Sequence, residues 1–242
     1  DNIISTTTTD TNIELRPNTS IDTLVHTLDN PNAYGTTQND RFGISVAMSG
    51  NYAIVGATGE DDAGGTSSGK AYIFNVTTGS LVHTLDNPNA YSTSLTDRFG
   101  TSVAIDGNYA VVGAYGEGDA AGSGNSGKAY IFNVTTGALV STLDNPNPYG
   151  TSGYDYFGYS VAISGNRVIV GAYGEDEDPY EGSGKAYIFK ASNGGLIHTL
   201  DNPNPYGVSF FDIFGYSVAI SGNYAVVGAR EENDAGGVES GK

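Results

Sequence analysis

FGTSVAIDGNYAVVGA, residues 99–114, decides the fold. Ser-Val-Ala-Ile at 102–105 and Tyr-Ala-Val-Val-Gly-Ala at 109–114 are short runs rich in β-branched and aromatic residues. Such runs fit a pleated, buried surface. The link between them, Asp106-Gly107-Asn108, is the short Gly-bearing connection that hairpins use. The stretch recurs as FGISVAMSGNYAIVGA at 42–57, FGYSVAISGNRVIVGA at 157–172 and FGYSVAISGNYAVVGA at 214–229. Its Phe-Gly pairs begin at Phe42, Phe99, Phe157 and Phe214, spacings of 57, 58 and 57. Thr-Leu-Asp-Asn-Pro-Asn keeps the same rhythm from Thr27, Thr84, Thr142 and Thr199. Ser-Gly-Lys does so too, ending at Lys70, Lys128, Lys185 and Lys242. Several registers with one period mean one structural unit used four times.

Working outward, each unit reads as four short strands. In the first unit these are SVAM (45–48), NYAIVGA (51–57), KAYIFNV (70–76) and SLVHTL (80–85). A polar loop, TGEDDAGGTSSG, precedes the third strand, and a Thr-Thr-Gly turn precedes the fourth. DNPNAYSTSLTD then carries the chain to the next Phe-Gly. Gly, Pro, Asn and Asp punctuate the strands. No segment keeps a 3.6-residue apolar period, so almost no helix is expected. Four antiparallel strands in 40–60 residues, repeated, mark the blade of a β-propeller. The expected fold class is therefore all-β, with blades in units at about 21–79, 80–137, 138–195 and 196–242. Residues 1–20 read as a Thr/Asn-rich leader or linker with little to bury.

Phe-Gly, the following Ser-Val-Ala, and Val-Gly-Ala ahead of an aromatic strand resemble the FG-GAP repeat. That repeat builds the propeller of integrin α chains and of many bacterial surface proteins. The resemblance covers residues ~21–242 and implies a propeller of surface-exposed type. The wording of the repeat is also similar to repeat proteins of marine bacteria and phages. One departure is that Gly-Ala is followed by Thr58, Tyr115, Tyr173 or Arg230, not the family's Pro. The resemblance also implies calcium in a D-x-D-x-D-G loop between first and second strands. Here that place holds Met48-Ser49-Gly50-Asn51 and its copies, too few oxygens for the six to eight that calcium takes. Related propellers commonly have seven blades, about 400 residues at this repeat length, so the repeats are expected to belong to a larger propeller.

Composition narrows the function. The 242 residues carry 27 Asp+Glu against 10 Lys+Arg, a formal net charge of −17. That balance opposes nucleic-acid binding, which needs a Lys/Arg footprint, and docking on anionic lipid. No apolar run reaches the ~20 residues of a membrane-spanning helix. With no cysteine there is no disulfide, thiolate metal site or cysteine nucleophile. Motifs for serine hydrolases, zinc proteases and phosphate loops are missing as well.

Candidate residues follow from what varies among the copies. The loop before Phe-Gly changes freely while the strands hardly do, the layout of a scaffold with recognition loops. Phe210, Phe211 and Ile213 beside Tyr216 make an apolar patch at one blade. Tyr154 and Tyr156, with Tyr159, make an aromatic one at the blade before. Such aromatics meet protein partners and stack on sugars; burial between blades is the competing reading. Carboxylates cluster one loop later, at Asp61 and Asp62, Asp119, Asp176 and Asp178, and Asp234, with Glu60, Glu117, Glu175 and Glu232 beside them. These read as a solvated acidic rim or as weak calcium ligands, the latter being the only cofactor in view. Asp40, Asp97, Asp155 and Asp212, two residues before each Phe-Gly, are expected to hold their loops by accepting backbone N–H groups. Lys70, Lys128 and Lys185 are expected to pair locally with acid. His26, His83 and His198 share one repeat position, which suits placement on a strand rather than catalysis.

The expected role is a non-catalytic adhesion or recognition module, extracellular or on a cell or virion surface. Its partner would be a surface glycan or protein, with neither nucleic acid nor membrane insertion involved. The alternatives are a structural repeat that packs with neighbouring copies as a spacer or fibre, and an accessory domain of a larger hydrolase.

Overall fold

The structure is a computed structural model. It describes residues 2–6, 13–17, 24–32, 39–61, 67–89, 96–118, 125–146, 154–175, 182–203, 212–232 and 241. Within them the regular elements are strands. The first sheet holds β1 (Asn2–Thr6), β2 (Ile13–Pro17) and β3 (His26–Leu28), in that order. Three four-stranded blades follow: β4 (Phe42–Ser49), β5 (Tyr52–Ala57), β6 (Lys70–Asn75) and β7 (Leu81–Asp86); β8 (Ser102–Asp106), β9 (Tyr109–Ala114), β10 (Lys128–Asn133) and β11 (Leu139–Asp144); β12 (Phe157–Ser164), β13 (Arg167–Ala172), β14 (Lys185–Lys190) and β15 (Leu196–Asp201). The last sheet pairs β16 (Phe214–Ser221) with β17 (Tyr224–Ala229). Every blade is an antiparallel meander with strands in chain order. These are propeller blades, as the repeat arithmetic predicts.

The core lies between blades. Ile54, Ile73 and Leu85 of one blade join Phe99, Val103, Val112, Tyr130 and Phe132 of the next in one buried cluster. Val111, Ile131 and Leu143 join Phe157, Val170, Tyr187 and Phe189 in the same way. The middle strands are thus covered on both faces, one by each neighbouring blade. That explains why Tyr-Ala-Val-Val-Gly-Ala and Lys-Ala-Tyr-Ile-Phe are near-continuous apolar runs rather than alternating ones. Each fully buried Ile or Phe side chain is worth roughly 1.5–3 kcal/mol.

The two glycine motifs meet at this contact. Gly56, on β5, packs so tightly that a Cβ there would lie 2.0 Å from the carbonyl oxygen of Gly100 in the next blade. Gly100 itself sits at φ +89°, where L side chains are strained, and a Cβ on it would lie 2.4 Å from the Lys70 carbonyl oxygen. The Ser45 hydroxyl donates to the Gly100 carbonyl at 2.7 Å. Ser102 and Ser160 repeat that bond to Gly158 and Gly215, each at 2.8 Å. Phe-Gly, Ser-Val-Ala and Val-Gly-Ala are therefore one blade-to-blade joint.

Two expectations change. The first strand starts at Phe42, Phe157 and Phe214 in three of the blades, not at the serine three residues on. The ladder absorbs the extra residues as an irregularity between Phe42 and Ser45 and its copies. The segment 1–20 is not linker throughout, since β1 pairs β2 and β2 pairs β3. The period-2 alternation Ile13-Glu14-Leu15-Arg16 was the signal for the second of these strands.

Candidate functional site

The Thr-Leu-Asp-Asn-Pro-Asn motif builds a polar lock in each blade. Its Asp accepts an ion pair from the lysine opening the third strand, giving Lys70–Asp86, Lys128–Asp144 and Lys185–Asp201. The lysines thus pair across the blade's outer two strands. The first Asn donates its side-chain amide to the carboxylate before Phe-Gly. These bonds are Asn30 to Asp40, Asn87 to Asp97 and Asn202 to Asp212 at 3.1 Å, and Asn145 to Asp155 at 3.0 Å. The backbone carbonyls of Asp40, Asp97 and Asp155 accept the N–H of Gly59, Gly116 and Gly174. The main-chain oxygen of this Asp thus helps to hold the loop, and its carboxylate accepts a side-chain amide.

The acidic rim needs correction at its first position. Glu60, Glu117 and Glu175 have no exposed surface and Glu232 only 2%. Each of the first three accepts the hydroxyl of the tyrosine on its own third strand: Tyr72 to Glu60 at 2.5 Å, Tyr130 to Glu117 at 2.6 Å and Tyr187 to Glu175 at 2.5 Å. Asn32 adds a bond to Glu60 at 3.0 Å. Burial pushes the Glu60 and Glu117 carboxyls up, Glu117 to about 7. The backbone carbonyls of Glu60, Glu117 and Glu175 also accept the N–H of Gly69, Gly127 and Gly184. Asp61 points its carboxylate at the Ser67 N–H, 2.7 Å away, within its own loop. Asp62, Asp119, Asp176, Asp178 and Asp234 lie outside the described residues. Among the described residues no three His, Asp or Glu come together in a metal-binding group.

The other site is aromatic. Three frame positions vary strongly among otherwise matching blades: the residue before Phe-Gly, the residue after it, and the residue after Gly-Ala. They hold Arg41, Ile44 and Thr58; Arg98, Thr101 and Tyr115; Tyr156, Tyr159 and Tyr173; and Ile213, Tyr216 and Arg230. The joint brings successive first strands side by side, so these positions converge. Tyr115 meets Tyr159 at 5.3 Å between ring centroids, and Tyr159 meets Tyr216 at 5.1 Å. Tyr156 stacks on Tyr173 at 4.9 Å and 17°. Tyr173 stands edge-on to Tyr159 at 4.7 Å. The Tyr159 hydroxyl donates to that of Tyr216 at 3.1 Å. Arginines flank the rings: Arg98 lies 5.2 Å from the Tyr115 centroid and donates to its hydroxyl, and Arg230 lies 4.6 Å from the Tyr216 centroid. Burial raises the Tyr159 phenol to about 12 and Tyr173 further still, so both remain protonated donors.

Of the residues expected in contact with a ligand, Tyr156 and Tyr216 are half-buried in this cluster, and Tyr154 is 60% exposed at its edge, 6.0 Å from Tyr156. Ile213 is buried. Phe210 and Phe211 lie outside the described residues. Sequence reasoning missed Tyr115, Tyr173 and both arginines as members of the cluster. Their signal was present at the position after Gly-Ala, where Thr, Tyr, Tyr and Arg break an otherwise constant frame. The histidines join blades: His26 bonds the Thr77 carbonyl at 2.9 Å and His83 that of Thr135 at 3.0 Å, each in the next blade's turn.

Frame and face together define a class: a protein of β-propeller blades with a variable aromatic face. The chain belongs to the FG-GAP repeat family, whose profile matches residues 33–74, 90–132, 148–189 and 205–242. No curated protein matches the sequence. Among solved structures it is similar to the computationally designed Ika4 protein, at 17% identity and a TM-score of 0.50 over 82% of this chain and 91% of that one. It is also similar to BamB from Moraxella catarrhalis, at 14% identity and a TM-score of 0.48. That match covers 86% of this chain and 49% of BamB. At these identities the likeness concerns the fold alone.

Proposed function

We propose that the chain is a non-catalytic recognition module that holds a glycan or protein partner against its tyrosine face, in an extracellular, cell-surface or virion setting. One observation carries this reading. Blades that repeat almost residue for residue diverge at three positions, and those positions converge into a cluster of Tyr115, Tyr156, Tyr159, Tyr173 and Tyr216. Packing between blades does not require tyrosine there, because Arg41, Ile44 and Thr58 fill the same positions in the first repeat. Rigid amphipathic rings on a fixed frame suit recognition at low entropic cost.

The test is a glycan array probed with wild type and with a Tyr156→Ser/Tyr173→Ser double variant whose fold is checked by circular dichroism. The expected result is a wild-type signal that the variant loses. Equal signals would remove the tyrosine face as the site. A silent wild type would shift the partner from glycan to protein.

A further inference from the structure

Arginines stand at the margins of the tyrosine face, in a chain whose net charge is negative. Of the ten basic residues, Lys70, Lys128 and Lys185 are committed to Asp86, Asp144 and Asp201. Arg167 is held at the far end of the strands, by the Gly222 carbonyl and the Asn223 side chain. Arg98 and Arg230 instead lie over the outermost rings, Tyr115 and Tyr216. Arg41 stands at the Arg98 position one blade earlier and is exposed. All three arginines occupy the variable positions of the frame. A chain with a net charge of −17 thus places three of its five arginines at the frame positions that form its aromatic face.

We propose that this face takes an acidic polysaccharide, with sugar rings against the tyrosines and carboxylate or sulfate groups on Arg98, Arg230 and Arg41. The proposal rests on the recognition reading above and names its ligand class. Guanidinium presents a planar fork of donors that matches carboxylate and sulfate oxygens, and lysine would not. Two centroid steps, 5.3 and 5.1 Å, lead from Tyr115 through Tyr159 to Tyr216, so the face is longer than one sugar ring and has a cation at each end. The Tyr216 hydroxyl accepts from Tyr159, which leaves its own O–H to donate to a sugar oxygen between those ends. Arg230 also pairs with Glu231, so a ligand anion there competes with that carboxylate, whereas the Arg98 guanidinium donates to a neutral phenol. Arg98 is therefore the stronger anchor. The net negative charge repels an anionic polymer at long range. At about 0.15 M salt the Debye length is about 8 Å and the contact arginines dominate.

The experiment is affinity electrophoresis of the chain at about 0.15 M salt through gels containing polygalacturonate, dextran sulfate or neutral dextran. Wild type is compared with Arg98→Gln, Arg98→Lys and Tyr173→Ser, each checked for an unchanged circular dichroism spectrum. Retardation by polygalacturonate, dextran sulfate or both, without retardation by dextran, is the expected result, and the polymer that acts tells carboxylate from sulfate. Arg98→Gln should weaken that retardation about tenfold in apparent Kd, with partial recovery in Arg98→Lys. Equal retardation by dextran, unchanged in Arg98→Gln but lost in Tyr173→Ser, would overturn the acidic ligand and leave the recognition face standing. No retardation by either charged polymer would also overturn the acidic ligand, with the face then judged by the glycan array.

Discussion

Glu117 is a carboxyl group with no exposed surface, held by the Tyr130 hydroxyl. Burial lifts it from its ordinary 4.5 to about 7, with Asp97 adding to the rise and Tyr130 and Lys128 opposing it. The folded state therefore binds this proton more tightly than the unfolded one. Its contribution to stability is complete below about pH 4.5 and is lost as pH rises through about 7. Glu117→Gln keeps an acceptor for Tyr130 and removes the titration. The variant should match wild type near pH 5 and be more stable at pH 8, by about 1 kcal/mol or more. Urea melts at the two pH values measure this, and an unchanged difference between the proteins would show that Glu117 is not the group titrating. This residue was the hardest to read in the sequence. Glu60, Glu117 and Glu175 each open an acidic, Gly-rich loop, and only the structure shows that the first carboxylate turns inward to a tyrosine 12 or 13 residues on.

At the scale of the strand pair, two glycines of one blade should respond unequally to the same change. Gly50, in the turn between β4 and β5, has open space around a Cβ and suffers only from its φ of +56°. Gly56 has the Gly100 carbonyl of the next blade where a Cβ would go. Gly50→Ala should cost about 1 kcal/mol, a backbone penalty. Gly56→Ala should cost at least about 3 kcal/mol, because a packed carbonyl must move. Chemical denaturation of both variants checks the contrast, and comparable losses would refute the joint as drawn. The strands were legible because both faces of β5, β6, β9 and β10 are buried, which leaves uninterrupted apolar runs. The start of the first strand was not, since Phe-Gly looks like loop until the irregular ladder pairs Phe42 with Ala57. β1 was missed because its residues sit in a Thr-rich context, although Asn2 to Thr6 pair with Pro17 to Ile13.

Across the whole molecule, repetition in sequence does not mean repetition in burial. The blade count and the meander followed from one period in several motifs. The tyrosine cluster followed only in part, because convergence of positions 57 residues apart is a property of the assembled blades. Equivalent residues accordingly feel different surroundings. Val111 of β9 is fully buried between β8 and β10 and under the neighbouring blade, whereas Val226, at the same position of β17, is 69% exposed. β17 pairs with β16 on one side, and no strand lies on its other side among the described residues. Its Tyr224 is 82% exposed. Val111→Ala should then cost about 2–3 kcal/mol through lost burial and a cavity, while Val226→Ala should cost less than about 0.5 kcal/mol. The same order should appear in amide exchange of the 242-residue chain, with β9 protected to the level of global unfolding and β17 exchanging by local opening. Equal penalties and equal protection at the two valines would mean that β17 is covered in solution, and that its exposed edge is an interface between molecules.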